Sequence, residues 1–307
     1  MIKIQSRTLT SELLLLLAAL IWGTTFVAQR QAMEHLGPFT FNGCRFGLGG
    51  LSLLAILLLR NKTRQSLLNR TARKDLAIAG VWVGLALFAG ATLQQKGLVW
   101  TSAGKGGFIT GLYVVLIPLI GLFLGHRISV SIWTGAALAV AGLYLLCITQ
   151  SAKIERGDGL VLAGTLFWAI HVLLVGHFAR RVDVFSLAMI QLLVCSACSF
   201  VGAAMTETIT ISGIGAAAVP ILYGGILSAG VAFSIQIYCQ RTCPAAPAAI
   251  IMSMETVFAA LAGWAVLGER LSTRNLVGCG LMLAGMLAVQ LFPPAEERAP
   301  SSSPPVA

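Results

Sequence analysis

Four ionisable side chains fall inside long apolar segments of this 307-residue chain. They are Arg45, Lys105, His171 and Glu255. A charged side chain near the centre of a membrane-spanning helix costs roughly 2.5–3.5 kcal/mol on insertion scales. Each of these groups must therefore be neutralised, pair with another polar group or face a water-filled cavity.

Each of the four residues has a structural and a functional interpretation. Glu255 either forms a buried hydrogen bond between helices or serves as a cation or proton site. His171 is either a hydrogen-bonded packing residue or part of a proton relay, so Glu255 and His171 are the proton-coupling candidates. Arg45 lies deep enough to need a buried partner or the anionic group of a substrate. Lys105 opens its segment and can instead extend to the membrane interface.

Aromatic and amide side chains in or near the same segments complete the candidate set. Together they would suit an amphipathic solute with amino, carboxyl or aromatic groups. The candidate substrate-binding residues are Trp22, Thr25, Arg45, Gln94, Lys105, Tyr113, Trp168, His171, Gln191, Gln236, Tyr238 and Glu255. Pro118 is predicted to kink its segment and is a candidate hinge. No metal site is predicted, because the Cys195-x-x-Cys198 pair lies within a segment without a neighbouring histidine or second pair.

Composition indicates the elements that must position these side chains. Hydrophobic residues make up 57% of the chain and charged residues only 10%, too few to coat a soluble domain of this length. The apolar segments approach the roughly 20 residues that a membrane-spanning helix needs, and they lack the strict alternation of a membrane β-barrel. Ten spans are predicted, at 12–28, 39–59, 76–94, 104–124, 132–149, 158–175, 184–204, 216–238, 245–267 and 274–292.

The chain repeats its own pattern. Trp22 and Trp168 occupy matching contexts 146 residues apart, and Gly125 and Gly268 do so 143 residues apart. Two copies of five spans each are typical of a duplicated membrane transporter, and because five is odd the second copy must be inverted. The predicted organisation is an N-terminal segment at 1–11, a first repeat at 12–149, a linker at 150–156, a second repeat at 157–292 and a disordered tail at 293–307.

The same register separates matching positions from mismatched ones. Positions that agree, such as Trp22 and Trp168, favour a role in the shared scaffold. An inverted repeat can build a symmetric shell, but one substrate needs an asymmetric site, so the mismatches are the better functional candidates. The mismatched pairs are Thr25 with His171, Arg45 with Gln191, Lys105 with Ala248, and Leu112 with Glu255.

The distribution of basic residues predicts the orientation in the membrane. Of the 21 Lys and Arg residues, 13 fall in segments that are cytoplasmic if the N-terminus is inside, seven fall on the opposite side and Arg45 lies within a span. This bias follows the positive-inside rule and predicts cytoplasmic N- and C-termini. The predicted loops are too short to present a basic face to nucleic acid, so the expected location is a cell membrane, the bacterial inner membrane in particular.

Several motifs carry a resemblance to a known family. The segments Leu20-Ile-Trp-Gly-Thr-Thr-Phe26, Leu124-Gly-His-Arg-Ile-Ser129 and the run from Glu255 to Glu269 resemble the EamA-type permeases of the drug/metabolite transporter superfamily. The resemblance covers about residues 12–292. It implies ten helices, a central cavity between the halves, and export or import of small organic solutes. Thr256 and His126 depart from the family pattern, which often has proline and an acidic residue at these positions.

The leading hypothesis is an all-α integral membrane protein that acts as a secondary transporter by alternating access between its inverted repeats. Its expected substrate is a small organic metabolite such as an amino acid or a related amphipathic solute, with export as the preferred direction. Proton coupling and downhill facilitated flow both remain open. No cofactor is expected, since the chain has no phosphate-binding loop of the Gly-x4-Gly-Lys-Ser/Thr type. The alternatives are an intramembrane enzyme and a non-transporting membrane partner protein; the oligomeric state stays undetermined.

Overall fold

The computed structural model describes the backbone of residues 2–59, 70–101, 103–125, 128–147, 156–267 and 272–292. Within these ranges it also describes the side chains, except at 2–8, 70–72, 103–105, 146–147, 263 and 266–267. The predicted tail, the predicted linker up to residue 155, and His126 lie outside the described residues. Every element in the described ranges that could span a membrane is helical.

Ten helical spans follow one another in the described ranges, and each coincides with one of the ten predicted spans. They are α1 Ile2–Ala32, α2 Pro38–Leu59, α3 Arg70–Gly97, α4a Ala103–Gly111 with α4b Tyr113–Phe123, α5 Val130–Cys147, α6 Arg156–Phe178, α7 Val184–Thr206, α8 Ala218–Cys239, α9a Ala245–Met252 with α9b Glu255–Leu267, and α10 Thr273–Leu291. Nine of the described spans are long and apolar enough to cross a membrane, and α5 supplies a shorter apolar helix. The all-α membrane fold is therefore confirmed.

The two repeats pack mainly against each other. Helix α1 contacts α8 and α9, while its counterpart α6 contacts α3 and α4. Likewise α2 packs on α8 and α7 packs on α3, and the equivalent helices α2 and α7, and α5 and α10, pair directly. Each contact thus has a counterpart with the repeats exchanged, as expected for two inverted copies around a pseudo-two-fold axis. The central space is consequently walled by both repeats.

Glycines allow the closest of these contacts, between α5 and α10. A Cβ atom added to Gly142 would meet the carbonyl oxygen of Gly278, and one added to Gly135 would approach that of Gly285. In the sequence register the equivalent pairs are Gly135 with Gly278 and Gly142 with Gly285, so the contacts are crossed and the helices run antiparallel. Small residues let the backbones touch, and dispersion then holds helices together where lipid offers no hydrophobic drive.

Helices α4 and α9 are interrupted at equivalent places. The amide of Leu112 donates to the carbonyl of Ile109, and the amide of Met254 donates to that of Ile251, three residues back instead of four. A tight turn therefore separates α4a from α4b and α9a from α9b. Pro118 lies within α4b, whose helix continues through it, so the interruption of α4 precedes the predicted hinge residue by about two turns.

The N-termini of the equivalent helices α2 and α7 are satisfied in different ways. Asp183 caps its own helix α7 by accepting the amide of Ser186 at 2.9 Å. Helix α2 is instead capped from the other repeat, because Glu207, just after α7, accepts the amides of Phe39 at 2.9 Å and Thr40 at 2.8 Å. The Thr40 hydroxyl donates to the same carboxylate at 2.7 Å. Glu207 therefore ties the two repeats together at one face.

Candidate functional site: a polar cavity between the repeats

A cavity lies between the repeats near the interruptions of α4 and α9. Its volume open to the centres of water-sized molecules is about 60 Å³. One water needs roughly 10–15 Å³ on this measure, so the cavity has room for a few water molecules or a small solute group. The lining residues are Trp22, Phe26, Gln29, Arg45, Phe46, Gln94, Thr110, Tyr113, Trp168, His171, Val172, Ser228, Phe233, Gln236, Met252 and Glu255.

The interrupted helices each place a polar side chain at the restart of the helix. Tyr113 is the first residue of α4b and Glu255 is the first residue of α9b. The Tyr113 hydroxyl is a hydrogen-bond partner of the Glu255 carboxyl group across the repeat interface. The first turn of a helix also favours a negative side chain, because its free amides carry partial positive charge. The turn that breaks α9 therefore brings a carboxyl group into the wall of the cavity.

Arg45 enters the cavity wall from α2. Its Nε atom donates to Asn42 Oδ1 at 3.0 Å, one helical turn earlier. Its guanidinium carbon lies 4.5 Å from the centroid of the Phe46 ring and 5.1 Å from that of the Phe41 ring. These contacts fix the plane of a guanidinium group whose side chain is only 4% exposed. The terminal nitrogens remain as donors for an anionic group.

Phe233 joins the equivalent tryptophans of the two repeats. Its ring centroid lies 5.1 Å from that of Trp22 and 6.3 Å from that of Trp168, which it stacks on with an interplanar angle of 13°. Phe233 begins the regular helix that follows a π-helical stretch of α8, Tyr223–Ala232. A π-helical turn inserts a residue into the helix and is frequent at functional sites. In that stretch, the Ser228 carbonyl accepts the Trp22 Nε1–H at 3.2 Å.

Three amide side chains are held by neighbours around the cavity. His171 Nε2 lies 2.9 Å from Gln191 Oε1, which places Gln191 behind the histidine and outside the lining. Gln94 donates to the Thr110 hydroxyl at 2.9 Å, and Gln236 donates to Gln240 Oε1 at 3.1 Å. These bonds fix the orientation of the groups that face the cavity.

Several cavity-lining polar atoms lack a hydrogen-bond partner within the described part of the chain. Such atoms are costly in a buried site unless water or a ligand satisfies them. They are Gln29 Oε1, Trp168 Nε1, His171 Nδ1 and Gln236 Oε1. The cavity thus offers hydrogen-bonding capacity that the described protein groups do not use.

The structure brings together eight of the twelve residues predicted to bind substrate. The eight are Trp22, Arg45, Gln94, Tyr113, Trp168, His171, Gln236 and Glu255. Gln191 contacts the cavity only through His171. Thr25 is fully buried and donates to the Ile21 carbonyl, whereas Tyr238 is 53% exposed, and neither lines the cavity. Lys105 belongs to α4a, and its side chain lies outside the described residues.

The sequence predictions missed several lining residues. Phe26, Phe46, Val172, Phe233 and Met252 are apolar side chains in apolar spans, and nothing in their spacing distinguishes them from packing residues. The missed polar residues are Gln29, Thr110 and Ser228. Gln29 could have been found, because an amide side chain within the described extent of the first span is as unusual as the other glutamines that were selected.

A ten-span helical protein whose two repeats enclose a polar cavity belongs structurally to the class of membrane transporters. The EamA-like transporter family matches the chain twice, over residues 9–148 and 155–291. The chain therefore belongs to the EamA-like transporter family and is a multi-pass membrane transporter. The resemblance expected from the motifs is confirmed.

Individual relatives agree with this assignment along most of their length. An uncharacterized transporter from Archaeoglobus fulgidus is 32% identical over 292 residues, which cover 93% of this chain and 87% of the relative. The uncharacterized inner membrane transporter YedA from Escherichia coli is 27% identical over 287 residues, covering 89% of this chain and 88% of the relative. A solved crystal structure with 20% identity superposes with a TM-score of 0.77 and covers 92% of this chain and 96% of its own, which supports the fold.

Proposed function

We propose that this protein is a secondary transporter that moves a small organic metabolite, such as an amino acid or a related amphipathic solute, by alternating access between its repeats. The observation that carries the proposal is the cavity itself. It is walled by both repeats, and the interrupted helices α4 and α9 contribute Tyr113 and Glu255 to it. Discontinuous helices at the interface of inverted repeats are a recurring site of substrate binding in secondary transporters.

The chemistry of the wall supports an amphipathic solute. Aromatic faces from Trp22, Trp168 and Phe233 offer apolar contact, and Arg45 and Glu255 offer opposite charges. Small-molecule sites typically combine a mostly apolar lining with a few fixed polar groups that orient the ligand. Rocking of the repeats would then expose this site to each side of the membrane in turn.

Glu255 is the proposed site of coupling to protons, with His171 as the second candidate. A buried carboxyl group that lines a cavity can hold a proton in one conformation and a cationic group in another, which links their movements. Downhill facilitated flow without coupling is the competing version. Export from the cytoplasm is the proposed physiological direction.

Reconstitution into proteoliposomes tests the proposal. Vesicles loaded with an unlabelled amino acid should accumulate the labelled form by counterflow, with saturation, and vesicles carrying Glu34→Gln should behave like the unaltered protein because Glu34 is exposed outside the cavity. An imposed pH gradient should drive net uptake in the coupled version, and Glu255→Gln should abolish that response. Flow that ignores both the gradient and Glu255→Gln would leave facilitated transport. Absence of saturable flux for every amino acid, amine, nucleoside and sugar tested would instead favour an enzyme or a non-transporting membrane partner.

Orientation and location are also proposals. The bias of basic residues supports cytoplasmic termini, and the printed name of YedA places that relative in an inner membrane. Single cysteines introduced at Glu34 and at Arg180, which lie at opposite ends of their helices, should be labelled by a membrane-impermeant thiol reagent from opposite sides of intact cells. Labelling of position 180 from outside would reverse the assigned orientation.

A further inference from the structure

Two groups of opposite charge line the same cavity without neutralising each other. The contacts of Arg45 are Asn42 and the rings of Phe41 and Phe46. The side-chain partner of Glu255 is Tyr113. Arg45 comes from α2 in the first repeat and Glu255 from α9b in the second, so the two repeats deliver the two charges to different parts of the wall.

Buried charges of this kind require compensation from somewhere. Leaving an ionised group in a low-dielectric interior without an opposite charge costs several kcal/mol, and pairing with hydrogen bonds offsets that cost. Neither neutral Asn42 nor neutral Tyr113 supplies a counter-charge. A ligand with a negative group for Arg45 and a positive group for Glu255 would supply both.

The unused hydrogen-bonding atoms show which positive group fits. Gln29 Oε1 and Gln236 Oε1 are acceptors without a partner in the described structure. His171 is also an acceptor toward the cavity: because Gln191 Oε1 can only accept, His171 Nε2 carries the hydrogen in the neutral ring and the unpartnered Nδ1 is a lone-pair atom. A primary ammonium group has three donors and no acceptor, so a wall rich in acceptors matches it.

A guanidinium group likewise specifies its ligand. Its fork of N–H donors matches the two oxygens of a carboxylate, and the Phe46 and Phe41 rings and Asn42 hold it in one plane. Because Arg45 is already oriented, little side-chain entropy is lost when such a group binds.

We propose that the cavity selects small zwitterions, with the carboxylate held by Arg45 and the primary ammonium group held by Glu255 and its neighbouring acceptors. This inference rests on the proposed transport function and narrows it to solutes that carry both charges. His171 acts here as a hydrogen-bond acceptor for the solute, and Gln191 is the positioning residue that fixes its tautomer. The small volume of the cavity restricts the solute to a size near that of a single amino acid.

Sets of three matched probes test the proposal. L-Leucine, 3-methylbutylamine and 4-methylpentanoate share one carbon skeleton, and the second and third each lack one of the two charged groups. L-Phenylalanine, 2-phenylethylamine and 3-phenylpropanoate form an aromatic set. At least one amino acid of the two sets should raise the melting temperature of the purified protein and exchange in counterflow, whereas its amine and its acid should bind about 10- to 100-fold more weakly, since each loses a charged hydrogen-bonding partner.

Two substitutions should change the selectivity in opposite directions. Arg45→Gln should weaken amino acid binding about 10- to 100-fold and remove the preference over the amine, while Glu255→Gln should remove the preference over the acid. Arg45→Lys keeps the charge and should retain part of the preference, which separates loss of recognition from loss of folding. Arg30→Gln and Glu34→Gln, at exposed positions outside the cavity, are the matched controls.

The outcomes separate this inference from the transport function. Equal exchange of an amine or an acid with its amino acid would overturn the zwitterion proposal and leave transport intact. So would saturable transport of a nucleoside or sugar with no response to either probe set. An equal loss of all three probes in Arg45→Gln, with Arg45→Lys fully active on all three, would show that Arg45 has a structural role. Absence of any saturable flux would contradict the transport function itself.

Discussion

The interrupted helices α4 and α9 occupy equivalent places in the two repeats, yet they bring different chemistry to the cavity. Both helices restart after a tight turn, α4b at Tyr113 and α9b at Glu255. In the sequence register Glu255 is equivalent to Leu112, the residue of the α4 turn itself. One repeat therefore supplies a phenol and the other supplies a carboxyl group, and the two side chains contact each other across the interface.

The same contrast holds for the tryptophans. Trp22 and Trp168 are equivalent and both contact Phe233. The Trp22 indole N–H is bonded to the Ser228 carbonyl, whereas the Trp168 indole N–H has no partner among the described residues. Backbone positions thus follow the repeat symmetry, while the hydrogen bonds available to a ligand do not. A symmetric frame permits the inverted motion, and the unequal side chains give a single solute a preferred orientation.

Making α9 resemble α4 should have the largest effect. Glu255→Leu places the residue of the equivalent α4 position in α9b and should reduce counterflow at least about 100-fold, since removal of a buried charged partner typically costs 2–5 kcal/mol. The variant should remain folded, because it removes a costly polar group from the bilayer. Counterflow in proteoliposomes, normalised to reconstituted protein, measures the effect. Transport near the level of Glu34→Gln would show that the asymmetry at this position is irrelevant.

Crowding the contact between α5 and α10 should test the shared frame instead of the site. Gly142→Val would drive a side chain against the Gly278 carbonyl and should destabilise the protein by about 1–3 kcal/mol, seen as a lower melting temperature in detergent. Gly280→Ala is the matched control on α10, because a Cβ atom there meets no other atom within 4 Å. If both variants melted like the unaltered protein, the close glycine contact would not contribute to stability.

The unequal caps of α2 and α7 predict a smaller change in stability. Glu207→Gln weakens three hydrogen bonds that join the repeats and should cost about 1–2 kcal/mol. Asp183→Asn alters a cap within a single helix and should cost less, because asparagine is also a good N-cap residue. Thermal unfolding in detergent compares the two. A larger loss for Asp183→Asn than for Glu207→Gln would contradict the inter-repeat role of Glu207.

The smallest expected effect concerns the support of His171. Gln191→Leu removes the bond to His171 Nε2 and should raise the KM for the solute a few-fold, about 1 kcal/mol, with little change in maximal rate. The same substitution in a His171→Leu background should add nothing further. Independent, additive effects of the two substitutions would show that Gln191 acts by a route other than the histidine.

The fold was largely predictable because its signals are local. Ten apolar segments, their spacing and the recurrence of Trp22 at Trp168 are sufficient to predict ten helices in two inverted copies. The turns within α4 and α9 were not predicted. Pro118 and the Gly-rich stretch of α4 drew attention to this helix, but α4b continues through the proline and the turn lies at Leu112. Which carbonyls are left free depends on packing against the opposite repeat, which the local sequence does not report.

The site was predictable where polarity is exceptional. Arg45, His171 and Glu255 stand out because ionisable groups are expensive in hydrocarbon. Thr25 was equally polar by sequence, but its hydroxyl is satisfied by its own helix at the Ile21 carbonyl. Phe233 was not a candidate, because an aromatic residue in an apolar span has no sequence feature that separates cavity lining from packing.

By itself, the sequence determined that this chain crosses the membrane ten times in two inverted halves and that a few polar groups must be sheltered inside. Hydrophobic segment length and the cost of buried charge are properties of each segment alone, so no neighbour is needed to infer them. Only the tertiary structure decided that Arg45 from one repeat and Glu255 from the other line the same cavity, and that Tyr113, not Arg45, contacts Glu255. Those relations depend on how the two repeats cross, and residues in different repeats are joined only by packing.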